Sequence, residues 1–282
     1  MERLQIALEK ARAARGRTQP APDAADPSVG LLKREGMEAA THKSEVDWTD
    51  LSPLEVDRKR LQRKRIATFD GGENSAPFDL LRTRVLQQAR QHGWRRIALV
   101  SPHSGCGKST TAANLAFSIA RQREIHSITM DLDFRRAGLT DILGGSAPYG
   151  MADVLERRVP MADVVLRYGE NTLFGLNTGT RTRTPSEILQ SAQTSEVLKD
   201  IENSFAPDIM LFDLPPMLAS DDNFGFLQNV DCALILVASE KTPMSQIDVT
   251  ERHVAELTTV MGIVLNKCRY KSKTHSHEYD YY

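Results

Sequence analysis

The chain has 282 residues, a formal net charge of −1 at pH 7 and 40% hydrophobic residues. This length predicts one domain with extensions, or at most two domains. The near-neutral charge argues against a dominant role in binding nucleic acid, because such proteins usually carry a clear basic footprint.

Cysteine usage and hydropathy indicate the compartment. Cys106, Cys232 and Cys268 are too widely spaced for a disulfide framework or a paired metal site, which suits a reducing environment. Every apolar run is shorter than the ~18 residues that span a bilayer, and the first residues lack the apolar block of a secretory signal. We therefore expect a cytoplasmic protein, with any membrane attachment made through a partner or a surface helix.

The first 75 residues form a predicted N-terminal extension. Apolar residues at helical spacing predict a short helix over residues 2–15, and the Pro-, Ala- and Asp-rich residues 18–30 predict a flexible linker. A basic run follows at residues 57–65. Two interpretations of it stay open: a solvated helix face or flexible arm, or a contact with an acidic partner or anionic lipid.

Residues 76–269 carry the pattern of an α/β domain, in which short apolar runs alternate with longer amphipathic ones. Helices are predicted over residues 109–121 and 185–205, and residues 270–282 form a polar tail that we expect to be flexible. Continuous apolar strands separated by helices predict a mostly parallel β-sheet with helices on both faces. The predicted strands are 96–101, 127–133, 171–179 (a strand or edge strand), 208–216, 231–239 and 261–267.

A glycine-rich loop, "GCGKS", lies between the first predicted strand and the following helix. Backbone N–H groups in such a loop cradle phosphate oxygens, and the helix N-terminus adds a favourable positive field. Lys108 is expected to reach the β- and γ-phosphates, and the Ser109 hydroxyl to hold magnesium. Pro102 replaces the first glycine of the full pattern, but the remaining motif in this context still predicts a P-loop NTPase. The nucleotide-binding residues predicted in the loop are Ser104, Gly105, Cys106, Gly107, Lys108, Ser109 and Thr110.

Three acidic residues follow two other predicted strands. Asp131 and Asp133 end one strand and Asp213 ends another, so all three should meet at the rim of the sheet beside the phosphate loop. A single acid at a strand end is usually a helix cap, whereas three at this rim indicate magnesium ligands and a base. We expect Asp213 to hold Mg²⁺ through water and Asp131 to accept a proton from an incoming hydroxyl. The predicted metal ligands are Ser109, Asp131 and Asp213, and the predicted catalytic residues are Lys108, Asp131, Asp133 and Asp213.

Two further residues complete the predicted nucleotide site. Arg135 follows the second strand-end acid and either stabilises a phosphate or pairs with an acid; the sequence leaves both open. Asn266 follows the last predicted strand and either hydrogen-bonds the adenine edge or is a turn residue. Both are candidate nucleotide-binding residues.

Taken together, these motifs resemble the bacterial tyrosine kinases (BY-kinases) of capsule and exopolysaccharide systems. The resemblance covers residue 78 to the end and rests on the phosphate loop, a strand ending D-x-D-x-R, a strand ending D-x-x-P and a C-terminal tyrosine cluster. By this resemblance, Lys108 and Ser109 belong to the first ATP motif, Asp131 and Asp133 to the second, and Asp213 to the third. The connecting segments "GMADVL", "PSEIL", "LPPMLASDD" and "GIVLNK" are also similar to that family's.

The resemblance implies a function, a set of cofactors and partners. It implies an ATP- and Mg²⁺-dependent protein tyrosine autokinase, a non-specific protein-tyrosine kinase that phosphorylates its tail in trans and regulates exopolysaccharide or capsule polymerisation and export. It also implies activation by a membrane polysaccharide co-polymerase, which would recruit this stand-alone cytoplasmic form to the inner face of the plasma membrane. A homo-oligomer is expected, and no nucleic acid.

The candidate phosphoacceptors are Tyr279, Tyr281 and Tyr282. They are three of only six tyrosines and all lie in the last four residues, beside Glu278 and Asp280. This enrichment favours phosphorylation over a random polar tail.

The sequence departs from the family at the helix before the phosphate loop. Many members carry E-x-x-R-x-x-R there, which is used in ring assembly. In this chain Ala76 replaces the Glu, Asp79 replaces the first Arg, and only Arg82 remains. A ring built through that contact is therefore in doubt.

Two other function classes stay as alternatives. Partition and septum-site switch ATPases share the fold, but their loop, K-G-G-x-G-K-[ST], begins with an extra lysine. In this chain His103 and Ser104 occupy the first two positions of that motif, so the extra lysine is missing. The third hypothesis is a non-catalytic, nucleotide-gated subunit of a polysaccharide export complex.

Overall fold

The computed structural model describes residues 44–145, 147–178 and 182–268, and these residues build one seven-stranded sheet. Its strands are β1 (Arg96–Val100), β2 (Ser127–Asp131), β3 (Val165–Tyr168), β4 (Thr172–Gly175), β5 (Ile209–Asp213), β6 (Cys232–Ala238) and β7 (Thr259–Asn266). The strand order is β3-β4-β2-β5-β1-β6-β7. Every neighbouring pair is parallel except β3 and β4.

Helices connect these strands and cover both faces of the sheet. They are α1 (Arg58–Arg63), α2 (Ala76–His92), α3 (Lys108–Ala120), α4 (Gly138–Leu143), α5 (Met151–Leu155), α6 (Pro185–Gln190), α7 (Ala192–Phe205), α8 (Asp222–Phe226) and α9 (Met244–Leu257). Short 3₁₀ helices span Trp48–Asp50, Glu73–Ser75, Met161–Asp163 and Leu227–Asn229.

The hydrophobic core explains the apolar strands of the sequence. Strands β2, β5 and β6 are buried along their whole length, and β1 is buried after its first residue. One cluster of apolar side chains joins one face of the sheet to helices α5 to α9, and two clusters join the other face to α1 to α4. A strand that is covered on both faces needs apolar residues at successive positions. The apolar residues of these strands are therefore continuous in the sequence rather than alternating with polar ones. The predicted α/β fold is confirmed.

Two secondary-structure elements differ from expectation. The strand predicted over 171–179 lies inside the sheet as β4, because the unpredicted antiparallel strand β3 pairs with its outer side. The helix predicted over 185–205 is interrupted at Ser191, whose backbone is extended and whose side chain accepts a hydrogen bond from the Thr194 N–H. This is an N-cap, so a second helix begins there.

Residues 44–75 pack against the sheet domain and share its core, which differs from the boundary expected at residue 76. Trp48 and Leu61 are buried, and the Trp48 indole N–H donates to the Phe205 carbonyl at 3.1 Å. The Thr68 hydroxyl donates to the backbone carbonyl of Asn114 in α3 at 2.9 Å. The helix expected over 2–15, the linker expected over 18–30 and the tail expected over 270–282 lie outside the described residues.

The basic run at residues 57–65 contains α1, and part of its charge is neutralised within the domain. Arg60 donates to the Asp141 backbone carbonyl at 2.7 Å, and Lys64 pairs with the Asp141 carboxylate at 2.5 Å. Arg58 pairs with Asp70 at 2.8 Å. The interpretation as a solvated helix face therefore holds for only part of this run.

In the part of the chain that the structure describes, every helix is too short or too polar to cross a bilayer.

Candidate nucleotide and magnesium site

The glycine-rich loop joins β1 to the N-terminus of α3 as predicted. Gly105 (φ 82°) and Gly107 (φ 92°) adopt left-handed backbone conformations, which glycine accepts without steric cost. A Cβ on Gly107 would lie 2.3 Å from Asn266 Nδ2, so this position also requires the missing side chain. The loop delivers its N–H groups to the start of a 13-residue helix, an arrangement suited to bind phosphate.

Lys108 is held at the centre of this site. Its side chain is buried, and its Nζ donates to Asp213 Oδ1 at 2.9 Å. Removing one partner of a buried ion pair is strongly destabilising because the other charge is left uncompensated. The loop lysine and the acid at the end of β5 are thus positioned by each other.

The three predicted acids meet at the carboxyl edge of the sheet. Strands β2 and β5 are parallel neighbours, and their register sets Asp131 directly opposite Asp213. Asp133 follows two residues later, and all three side chains are at most 3% exposed. A buried group of three carboxylates beside one lysine has excess negative charge, which a cation can neutralise.

Burial changes the acidity of this group. Burial, supported by the charge of Asp213, raises the pKa of Asp131 from 3.8 to about 7, although hydrogen bonds from Thr140 oppose the shift. Burial also raises the pKa of Asp133, against the opposing effect of Lys108. Without a cation, part of the site's negative charge is therefore suppressed by bound protons near neutral pH.

The residues present fit a magnesium ion. Asp213 Oδ2 is buried and accepts no hydrogen bond from the described residues. A Cβ on Gly138 would lie 2.4 Å from Ser109 Oγ and 4.0 Å from Asp213 Oδ2, so the glycine leaves space that borders both oxygens. Mg²⁺ prefers oxygen ligands and usually binds through one or two carboxylates, waters and substrate phosphates. The described residues contain no group of three His, Cys, Asp or Glu side chains placed to hold a metal by themselves.

Thr140 and Asn177 orient Asp131, and the sequence analysis missed both. The Thr140 N–H and hydroxyl donate to Asp131 Oδ2 at 2.8 and 2.7 Å. Asn177 donates through Nδ2 to the Asp131 carbonyl and through its N–H to Thr140 Oγ1, both at 2.9 Å. The two bonds from Thr140 fix the carboxylate that was predicted to accept the proton, and the two from Asn177 hold the Asp131 backbone and the Thr140 hydroxyl in place.

Arg135 pairs with an acid, which was one of its two open roles. Its guanidinium donates to both carboxylate oxygens of Asp222 at 2.7 and 2.9 Å. Asp222 is 1% exposed and also accepts a hydrogen bond from Ser186. The hydrogen bonds to Asp222 raise the pKa of Arg135, consistent with a bidentate ion pair.

Asn266 lies against the phosphate loop. Its Nδ2 donates to the Cys106 carbonyl at 2.9 Å, and the neighbouring Lys267 Nζ donates to the Gly105 carbonyl at 2.6 Å. The contact of Asn266 with adenine stays a prediction.

Ser104 and Thr110 are the remaining predicted nucleotide-binding residues, and their contact with nucleotide stays a prediction. Ser104 is in the loop, where its carbonyl lies 2.8 Å from His103 Nδ1. Thr110 is in the first turn of α3, where its carbonyl accepts a hydrogen bond from Asn114. The candidate phosphoacceptors Tyr279, Tyr281 and Tyr282 lie outside the described residues.

The degenerate assembly motif on α2 makes contacts within the chain. Asp79 accepts hydrogen bonds from Ser118 and Arg121, and Arg82 donates to the Ser118 carbonyl at 3.1 Å. In this structure these two motif residues therefore tie α2 to the helix of the phosphate loop.

Residues 94–282 match the model of the ParA family, described as "NUBPL iron-transfer P-loop NTPase".

Similar proteins include several named tyrosine kinases. The chain is 30% identical over 226 residues to the tyrosine-protein kinase YwqD of Bacillus subtilis (strain 168), covering 79% of this chain and 92% of YwqD. It is 22% identical over 214 residues to the tyrosine-protein kinase CpsD of Streptococcus agalactiae serotype III (strain NEM316), covering 75% of this chain and 87% of CpsD. It is 27% identical over 218 residues to the putative tyrosine-protein kinase EpsB of Ralstonia solanacearum, covering 77% of this chain but only 29% of EpsB.

Solved structures with the same fold include two of similar extent. The kinase domain of VpsO superimposes with a TM-score of 0.61 at 24% identity, covering 69% of this chain and 96% of the domain. The chimerical protein CapA2B2 superimposes with a TM-score of 0.65 at 21% identity, covering 77% of this chain and 95% of that one. At these identities the two structures support the fold alone.

Proposed function

Because this chain belongs to the bacterial tyrosine kinases, a family built on a ParA-type P-loop NTPase domain, we propose that it is an ATP-dependent kinase that phosphorylates tyrosines of its own C-terminal tail. One observation carries the proposal. Lys108, Asp213 and Asp131 meet at the carboxyl edge of the sheet, beside a space that borders Ser109 and is kept open by Gly138. A phosphoryl-transfer site needs these parts: a cation for the phosphates, oxygen ligands for Mg²⁺ and an acceptor for the hydroxyl proton.

The loop residues bind and orient the triphosphate. The N–H groups from Gly105 to Ser109 surround the phosphates, and Lys108 neutralises charge on the β- and γ-phosphates. Ser109 and Asp213 would hold Mg²⁺, the latter through water, and the ion would supply further charge neutralisation as the phosphoryl group moves. Catalysis in such sites comes from positioning and electrostatics, because the protein has little covalent chemistry to perform.

Asp131 accepts the proton in this proposal. The tyrosine oxygen forms a bond to the γ-phosphorus, the bond from that phosphorus to the β–γ bridging oxygen breaks, and ADP leaves. The phenolic proton passes to Asp131, which Thr140 and Asn177 orient. A pKa of about 7 for Asp131 supports this role, since a general base works best when its pKa is near the working pH.

The cellular role is proposed from family membership. The kinase regulates polymerisation and export of an exopolysaccharide or capsule. A membrane polysaccharide co-polymerase activates it and brings it to the inner face of the plasma membrane, and copies of the chain phosphorylate each other in an oligomer.

The test is a phosphotyrosine assay on the full chain with ATP and Mg²⁺, with and without the cytoplasmic segment of a co-polymerase. We expect phosphate on Tyr279, Tyr281 or Tyr282 by phosphopeptide mapping. Lys108→Met should abolish the signal, whereas Lys199→Met, the same change at an exposed lysine of α7, should not. Because Lys108→Met also removes one partner of a buried ion pair, circular dichroism must show that the variant is folded under the assay conditions before the loss is assigned to catalysis.

The other outcomes separate the alternatives. ATP hydrolysis with nucleotide-dependent DNA or membrane binding and no phosphotyrosine would favour a partition-type switch ATPase. ATP binding without turnover, even with the activating segment, would favour a non-catalytic subunit of an export complex.

A further inference from the structure

A cavity of about 1000 Å³ opens beside the strand-end acids. The segment after Asp133 forms one wall, and residues around Arg183 form another. Thr140 and Asn177 also line it, and both hydrogen-bond Asp131. A molecule in this cavity could therefore contact Thr140, which donates a hydrogen bond to the carboxylate of the proposed proton acceptor.

The cavity carries unneutralised positive charge. Of the five arginines that line it, Arg60, Arg135 and Arg158 are paired with carboxylates. Arg136 and Arg183 are exposed, and neither has a carboxylate within 4.0 Å in the part of the chain that the structure describes. Asp141, Asp153 and Glu156 also line the cavity, but the arginines outnumber them. Two guanidinium groups that have no carboxylate partner among the described residues favour an anionic occupant, and arginine binds carboxylates with good geometry.

The tail of this chain has the matching chemistry. Its end reads "HEYDYY", so Glu278 and Asp280 alternate with the candidate acceptors. We propose that Arg136 and Arg183 bind the carboxylates of Glu278 and Asp280 from the tail of a second copy, and thereby hold an acceptor tyrosine beside the strand-end acids. This inference rests on the proposed kinase function and assigns its acceptor specificity to two residues.

The sheet order favours a second copy as the source. The chain leaves β7 at one edge of the sheet, whereas the cavity lies near β4, five strand spacings or about 24 Å away. A tail that ran from β7 to the cavity in the same copy would cross the carboxyl end of β1, where the phosphate loop must bind ATP. A tail from another copy can enter without blocking that loop.

The size of the effect follows from the exposure of the two arginines. An ion pair at a solvent-exposed site contributes up to about fivefold in affinity, so two pairs contribute up to about 25-fold. The contribution should fall at high ionic strength because exposed charges are screened.

The test separates binding from catalysis. The enzyme is the full chain with Tyr279→Phe, Tyr281→Phe and Tyr282→Phe, and the probe is a fluorescent peptide of residues 274–282. Fluorescence polarisation without ATP should show a Kd weaker by up to about 25-fold for Arg136→Gln/Arg183→Gln at low salt, and a smaller loss at high salt. Arg123→Gln, an exposed arginine in the turn before β2, is the matched control and should bind normally.

Kinetics provide the second measurement. The double variant should raise KM for the peptide by the same factor, with kcat and KM for ATP unchanged. Charge reversal in the enzyme, Arg136→Glu/Arg183→Glu, should be rescued in part by a peptide carrying Glu278→Lys and Asp280→Lys.

The outcomes distinguish this inference from the function on which it rests. Absence of phosphotransfer by the unaltered chain would overturn the kinase proposal, while the polarisation experiment would still decide the docking. A peptide that fails to bind, or that binds the double variant as tightly as the parent, overturns the docking. Finally, the enzyme without tail tyrosines is mixed with a Lys108→Met chain whose tail is intact. Phosphate on the second chain supports docking between copies, and its absence, when the unaltered chain labels itself, overturns the second copy as the source.

Discussion

Asp131→Asn is expected to stabilise the protein at neutral and alkaline pH in the absence of Mg²⁺ and nucleotide. Burial and the charge of Asp213 raise the pKa of Asp131 from 3.8 to about 7. Between these values the folded protein holds a proton that the unfolded chain releases, so the free energy of unfolding falls as pH rises through this window. The difference corresponds to about 4 kcal/mol at 1.36 kcal/mol per pKa unit. The contribution of the protonated Asp131 to the free energy of unfolding is complete below pH 3.8 and lost above a pH of about 7. An Asn at this position stays neutral at every pH, so the variant does not lose stability in this window.

Urea denaturation with EDTA at several pH values between 5 and 8 measures the effect, because the free energy of unfolding is linear in denaturant. The difference in unfolding free energy between Asp131→Asn and the parent should grow with pH toward about 4 kcal/mol. Asp248→Asn, at an exposed acid of α9, is the matched control and should follow the parent at every pH. Parallel curves for Asp131→Asn and the parent would refute the argument that burial controls the charge of this residue.

Two further predictions concern the geometry around the acids. Gly138→Ala places a methyl group 2.4 Å from Ser109 Oγ, so Mg²⁺-dependent ATP binding should weaken about tenfold or more, as measured by titration calorimetry. The control is Gly262→Ala, whose Cβ would meet nothing within 4 Å and which should bind ATP normally. Equal affinities for the two variants would contradict a magnesium space at Gly138. Thr140→Val removes the hydroxyl that orients Asp131, so kcat for tyrosine phosphorylation should fall about 10- to 100-fold, as for a hydrogen bond to a charged group, with KM for ATP unchanged. Thr140→Ser should restore most of kcat, and an equal loss in both variants would argue for a packing role.

The parts of the site that could be predicted from the sequence depend on local patterns and on topology. The phosphate loop is a contiguous motif between a strand and a helix, so its position follows from hydrophobic periodicity. Asp131 and Asp213 lie 82 positions apart in the sequence, but each ends a buried strand, and strands of a parallel sheet bring their carboxyl ends to one rim.

Other parts depend on contacts that no local pattern encodes. Thr140 lies in a six-residue helix that is too short to show periodicity, and its bond to Asp131 appears only when the chain turns back after β2. The sequence left two roles open for Arg135, and its partner Asp222 is 87 residues away. Strand β3 was missed because only one of its four residues is fully buried, so it lacks a continuous apolar run.

The burial of residues 44–75 has a practical consequence for shortened forms of the protein. Leu61 and Ile66 belong to the same buried apolar cluster as Phe117 and Phe174. Truncation at residue 76 would remove part of that cluster and expose apolar side chains of the phosphate-loop helix to solvent. An exposed apolar patch of this kind favours aggregation. A fragment intended for crystallisation or activity measurements should therefore begin ahead of Ser44.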